Sequence, residues 1–126
     1  MSSFSDTPSL VAGATVAPYA FVKVSARNTG IVCAAITDQI VGVTDGSTRK
    51  FDSADHANVG DTLNLQSGSV VLVKAAATFA AGAIIGSNAS GFAITAVSTA
   101  TVYGVALEPA VSGDIVRVFK NSLRVV

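Results

Sequence analysis

The apolar runs of this chain are short and are closed by glycine or a turn residue before they reach helical length. Ile31-Val32-Cys33-Ala34-Ala35-Ile36 and Val70-Val71-Leu72-Val73 are typical. Runs of this kind, rich in Val, Ile and Thr, fit strands on a pleated surface. The alternation of Leu63 and Leu65 with Thr62, Asn64 and Gln66 marks a strand with one wet face. Ala75-Ala76-Ala77 and Ala80-Ala81 favour helix, but no amphipathic stripe surrounds them and Gly82 and Gly86 interrupt. The expectation is an all-β chain, a small β-barrel or β-sandwich of about nine to ten short strands.

Strands are expected over 22–24, 31–37, 40–44, 61–66, 70–75, 79–85, 92–97, 101–107 and 114–120, with a last one over 123–126. Half of the 126 residues are apolar and only 13% are charged, which excludes a disordered chain. A length of 126 residues suits a single core.

The glycines recur in order. Gly30-Ile31-Val32-Cys33-Ala34-Ala35 echoes Gly91-Phe92-Ala93-Ile94-Thr95-Ala96, and Ile40-Val41-Gly42-Val43 echoes Val102-Tyr103-Gly104-Val105. Gly60-Asp61-Thr62-Leu63 echoes Gly113-Asp114-Ile115-Val116, and Ala12-Gly13-Ala14-Thr15-Val16 echoes Ala81-Gly82-Ala83-Ile84-Ile85. The chain therefore divides into an extended N-terminal arm, residues 1–12, and one β-domain, residues 13–126. That domain holds pseudo-repeats over 13–75 and 82–126 and an inserted polar loop over 47–59. Two such units can close into a barrel and leave few free strand edges.

The chemistry-bearing residues are sparse. His56 is the sole histidine, and with Asp52 and Ser53 it lies in one polar loop, where nothing rigid holds a catalytic base. One His and one Cys do not make a zinc site, and Asp52, Asp55 and Asp61 match no calcium loop. Gly82-Ala83-Ile84-Ile85-Gly86 lacks the Lys-Ser or Lys-Thr of a phosphate loop. Lys74 lies after an apolar strand, unlike the hairpin-tip lysine of lipoyl and biotinyl carriers. No enzyme, no cofactor and no metal are expected. Cys33, within its apolar run, is expected to be a buried thiol.

Eight basic and eight acidic residues cancel. Zero net charge favours association, and scattered cations give no footprint for nucleic acid. Residues 1–6 lack the basic start of a signal peptide, and the apolar stretch over 70–86 is broken by Lys74, Thr78 and Gly82. The expectation is synthesis in a cytoplasm, with no membrane partner.

The glycine-led strand, the Gly-Val step and the "GD-x-Φ-x-V" turn are clearest in Gly91-Phe92-Ala93-Ile94, Gly104-Val105-Ala106-Leu107-Glu108 and Gly113-Asp114-Ile115-Val116-Arg117-Val118. Over residues 12–120 this pattern resembles the capsid decoration, or cement, proteins of tailed phages. The resemblance implies a structural virion protein on the capsid exterior, bound at junctions between major capsid protein subunits and stabilising the mature head. It also implies a homo-oligomer, with a trimer favoured. Contact candidates are the arm residues Phe4, Asp6 and Pro8 and the loop residues Arg49, Lys50, Phe51, Asp52 and His56. The alternative is a carbohydrate- or surface-binding module of a fibre or adhesin, which needs exposed aromatics. Phe21, Phe79, Phe92, Tyr103 and Phe119 lie in apolar runs and are expected in the core.

Overall fold

Two Gly-Asp turns of the same construction organise the chain. In each the glycine takes a positive φ, 92° at Gly60 and 97° at Gly113, where a side chain would be strained. Each aspartate then turns its carboxylate back onto the N–H three residues earlier. Asn58 donates to Asp61 Oδ2 at 2.8 Å, and Val111 donates to Asp114 Oδ2 at 3.0 Å. This local chemistry launches a strand in both halves.

The computed structural model of the chain describes residues 9–45 and 57–120. They form ten strands and, among the described residues, no helix. The strands are β1 (Ser9–Ala12), β2 (Phe21–Ala26), β3 (Thr29–Val32), β4 (Gly42–Val43), β5 (Thr62–Asn64), β6 (Val70–Lys74), β7 (Ile84–Ser87), β8 (Ala93–Thr95), β9 (Gly104–Ala106) and β10 (Ile115–Lys120). Two five-stranded sheets result, in the orders β4-β2-β3-β1-β5 and β6-β10-β9-β7-β8. A single bridge joins the outer strands of each, Thr44 to Leu65 in the first and Ala75 to Ala93 in the second. Each sheet is thus a small closed barrel, which removes the free edges that invite aggregation.

The two barrels repeat each other pairing by pairing. β1 runs parallel to β3 with Ala12 opposite Gly30, and the strand end after β6 meets β8 in parallel with Ala75 opposite Ala93. Leu10 faces Leu63 as Val73 faces Val116. Val22 faces Val32 as Ile85 faces Thr95. Phe21 faces Val43 as Ile84 faces Val105. Even the isolated bridge of Val16 with Ala57 has its counterpart in Phe79 with Ala110.

These pairings also relocate the repeat boundaries. Ser9–Ala12 is no arm: it is β1, buried at Ala12 and held on both sides by neighbours. Four residues after a Ser- and Pro-containing stretch carry too little local signal to reveal a strand whose stability comes from partners distant in sequence. Val70–Lys74 is the equivalent of β1 and opens the second barrel. Register matches Gly30 to Ala93 rather than to Gly91, and Gly13 to Ala76 rather than to Gly82. The Gly-Val and Gly-Asp echoes fall on equivalent positions. Ala57, assigned from sequence to the inserted loop, is fully buried in the first barrel.

The barrels pack on one another. Val16, Val22, Leu63 and Leu65 fill the first, while Phe21, Cys33 and Val43 turn from it to join Val71, Val73, Ile85, Tyr103 and Val118 in the larger core. Alternation along β2 makes this possible, since Phe21 and Val22 point to opposite faces. Phe21 and Tyr103 meet with ring centroids 5.0 Å apart and tilted by 54°. Backbone bonds cross the junction from Phe21 N–H to Gly91 O (2.7 Å), from Lys74 N–H to Tyr19 O (2.9 Å) and from Thr101 N–H to Ile36 O (2.9 Å). Gln66 fastens the connection between the barrels, its Nε2 donating to Leu72 O at 2.6 Å while its Oε1 accepts from Leu72 N–H at 2.8 Å.

Candidate interaction surface

The contact candidates Phe4, Asp6, Pro8, Arg49, Lys50, Phe51, Asp52 and His56 all lie outside the described residues. Among the described residues, no three His, Cys, Asp or Glu side chains cluster so as to hold a metal ion. Cys33 is fully buried, and burial, followed by the nearby Asp38 charge, pushes its thiol up to about 11. It packs as an apolar side chain.

The surface of interest is the outside of the β6–β10 ribbon. The strands alternate over Val70–Lys74 and over residues 115–119, and Lys120, at the end of β10, has the parity of Val116 and Val118 but is exposed. Val71, Val73, Val116 and Val118 point into the barrel, and Val70, Leu72, Lys74, Ile115, Arg117 and Phe119 point outward. The register sets Val70 opposite Phe119, Leu72 opposite Arg117 and Lys74 opposite Ile115. Val70 is 47% exposed, Ile115 48% and Phe119 43%. Phe119 is therefore not a core residue. The run Val116-Arg117-Val118-Phe119 has apolar residues of both parities, and only the barrel's curvature decides which face is covered.

The ribbon continues into a groove of about 310 Å³ whose lining includes Pro18, Tyr19, Phe92, Lys74 and Ile115. The Lys74 ammonium lies 5.5 Å from the Phe92 ring centroid, within cation–π range. Phe92 is half-buried. Tyr19 is held at φ 58°, a backbone conformation uncommon for a non-glycine residue, and its carbonyl accepts the Lys74 N–H. Arg117 is held from beside the ribbon, its Nε 3.2 Å from Glu108 Oε2, which also accepts the Arg117 N–H at 2.9 Å. These bonds keep the exposed Glu108 carboxyl below its ordinary range. Among the described residues, neither Lys74 nor Lys120 has a carboxylate within ion-pair distance.

Sequence reading noted Lys74 and Phe119 separately and missed that they share one face. The available signal was strand parity, since Val70, Leu72 and Lys74 share a parity, as do Ile115, Arg117 and Phe119.

Fold and surface together define a doubled five-stranded barrel with one apolar, cation-bearing outer face. No family model matches the chain, and no curated protein matches it in sequence. Among solved structures it is similar to the crystal structure of the head fiber gp8.5 N base in bacteriophage phi29. The TM-score is 0.67 at 18% sequence identity, and the match covers 94% of this chain and 97% of that one. The two share a fold over essentially their whole lengths.

Proposed function

We propose that this chain is a non-catalytic structural protein of a tailed-phage virion. In this reading it sits on the outer surface of the head at junctions between major capsid subunits and stabilises the mature shell. The observation that carries the reading is the end-to-end likeness to the base of a phage head fibre. A doubled, edge-free barrel with zero net charge and a large exposed apolar face supports it. The physical means is mass action: a protein that binds only the mature shell lowers that state's free energy in proportion to occupancy and affinity. Synthesis in the host cytoplasm and assembly as a trimer belong to the same proposal.

Co-sedimentation with mature and immature heads of the encoding phage tests it. Binding to mature heads is expected, and binding to neither would refute the reading. Light scattering on the eluted peak of a sizing column reads the trimer directly. Deleting residues 2–8, which leaves β1 intact, tests the arm; undiminished head binding would remove it from the contact.

A second reading, carbohydrate binding, draws on Tyr19, Phe92 and Pro18 around the groove. It predicts glycan-array binding that Tyr19→Ala abolishes, and an array without signal eliminates it.

A further inference from the structure

The internal duplication supplies a control for the outer face of the β6–β10 ribbon. Register places Val11 at the position of Lys74, Thr62 at that of Ile115 and Asn64 at that of Arg117, with Ser9 in the place of Leu72. One pleat further along, Gln66 stands where Phe119 does. At the positions of Leu72, Ile115, Arg117 and Phe119 the first barrel thus carries Ser9, Thr62, Asn64 and Gln66, small or neutral polar residues, and only Val11, opposite Thr62, is an exposed apolar side chain there. Barrel closure does not require those large side chains, because the first barrel closes without them. An outward strand face is normally polar, and contiguous exposed apolar side chains mark a contact site.

The charges say what covers the face. Lys74 lies on it without a carboxylate partner among the described residues, and Arg117 stands near its centre with one carboxylate, Glu108, beside it. Two copies stacked face to face would bring these cations together, and like-charge juxtaposition opposes such docking. A foreign surface with apolar side chains at its centre and carboxylates around them would satisfy both the area and the charge.

We infer that the outer face of β6–β10 is the docking face of this protein, and that its partner is an apolar, carboxylate-bearing patch on the capsid subunits. The inference rests on the capsid-binding reading above. Leu72, Ile115 and Phe119 supply the apolar centre, while Lys74 and Arg117 orient the partner and speed its capture.

The test measures binding to purified mature heads by the wild type and three variants. The first carries Leu72→Ser, Ile115→Thr and Phe119→Gln, the residues that the first barrel tolerates at the same positions. Its unfolding midpoint establishes that it folds. The second carries Lys74→Gln. The third carries Val24→Ser and Val41→Ser, which remove exposed apolar side chains on the other barrel.

The expected result is a loss of about a hundredfold in affinity for the first variant, the scale of a lost hot-spot cluster. The Val24/Val41 variant should bind as the wild type does. Wild-type binding should weaken between about 0.05 M and about 0.5 M salt, and the Lys74→Gln variant should weaken less over that range. If the first variant binds as tightly as the wild type, the face is not the docking site, although the capsid reading stands. Equal losses in the first and third variants would overturn it too. If the wild type binds no heads, the capsid reading fails and takes this inference with it. If the first variant instead converts an oligomer to a monomer, the occupant is a second copy and the assignment is wrong.

Discussion

Gly91 and Gly60 allow a clean measurement of how tightly the two barrels are joined. Both have positive φ, 85° and 92°, so alanine at either site meets the same left-handed penalty of about 1 kcal/mol. Their surroundings differ. A Cβ on Gly60 would meet nothing within 4 Å, whereas one on Gly91 would lie 3.0 Å from Phe21 O and 3.1 Å from Val32 Cβ. Both atoms belong to the opposite barrel and neither is the free end of a flexible side chain. Phe21 O already accepts the Cys33 N–H at 3.0 Å, and Phe21 N–H donates to Gly91 O at 2.7 Å. The backbone there has two bonds to lose if it shifts. Overpacking at such a site adds about 2 kcal/mol. Gly91→Ala is therefore expected to destabilise by about 3 kcal/mol and Gly60→Ala by about 1 kcal/mol. The difference corresponds to about 8 °C in thermal midpoint for a chain of this size. Urea unfolding at constant m-value reads both directly. Equal losses at the two sites would refute the argument that the barrels meet tightly at Gly91.

Three further outcomes follow from individual groups. Thr44 is buried, its hydroxyl donating to Ala17 O at 2.8 Å and accepting from Ala20 N–H at 3.1 Å. Thr44→Val keeps the shape but orphans both backbone groups and should cost about 2 kcal/mol in denaturant melts, whereas a neutral result would place water or another partner there. At Asp38, burial raises the carboxyl, but N–H bonds from Ala34 and Ala35 and the Lys23 ammonium at 3.0 Å outweigh it and hold the group below its ordinary range. A carboxyl lowered on folding contributes stability in full above its unfolded pKa of about 3.9 and loses it as pH falls through the lower folded value. Asp38→Asn should flatten that acid slope in midpoint-versus-pH curves, and an unchanged slope would assign the acid sensitivity elsewhere. Cys33, its thiol pushed up to about 11, should resist a thiol reagent at pH 8 in the native protein and react fully in urea. Rapid native labelling would contradict its burial.

The all-β class and nine of the ten strands were legible because every apolar run ends in a turn residue before helical length; the further strand expected over 123–126 lies outside the described residues, and β1 is the one not foreseen. The Gly-Asp turns were equally legible. Their geometry is local, a positive-φ glycine followed by a carboxylate that reaches three residues back, so the same dipeptide gives the same turn in both halves. The Gly-Val echo held for a related reason: both Gly42 and Gly104 are buried at the same pairing step of their barrels.

Other features were settled only by long-range packing. Residues 9–12 pair with partners near positions 30 and 63, so nothing in their own neighbourhood announces a strand. Gly91 serves the contact between barrels, and its match to Gly30 in the sequence was a coincidence of composition that register corrects to Ala93. Most important for function, Val70-Val71-Leu72-Val73 reads as equally apolar on both faces. Sequence by itself determined that this segment is a strand. Which of its faces lies in the core was decided by closure of the second barrel, and that closure leaves Val70, Leu72, Ile115 and Phe119 together at the surface.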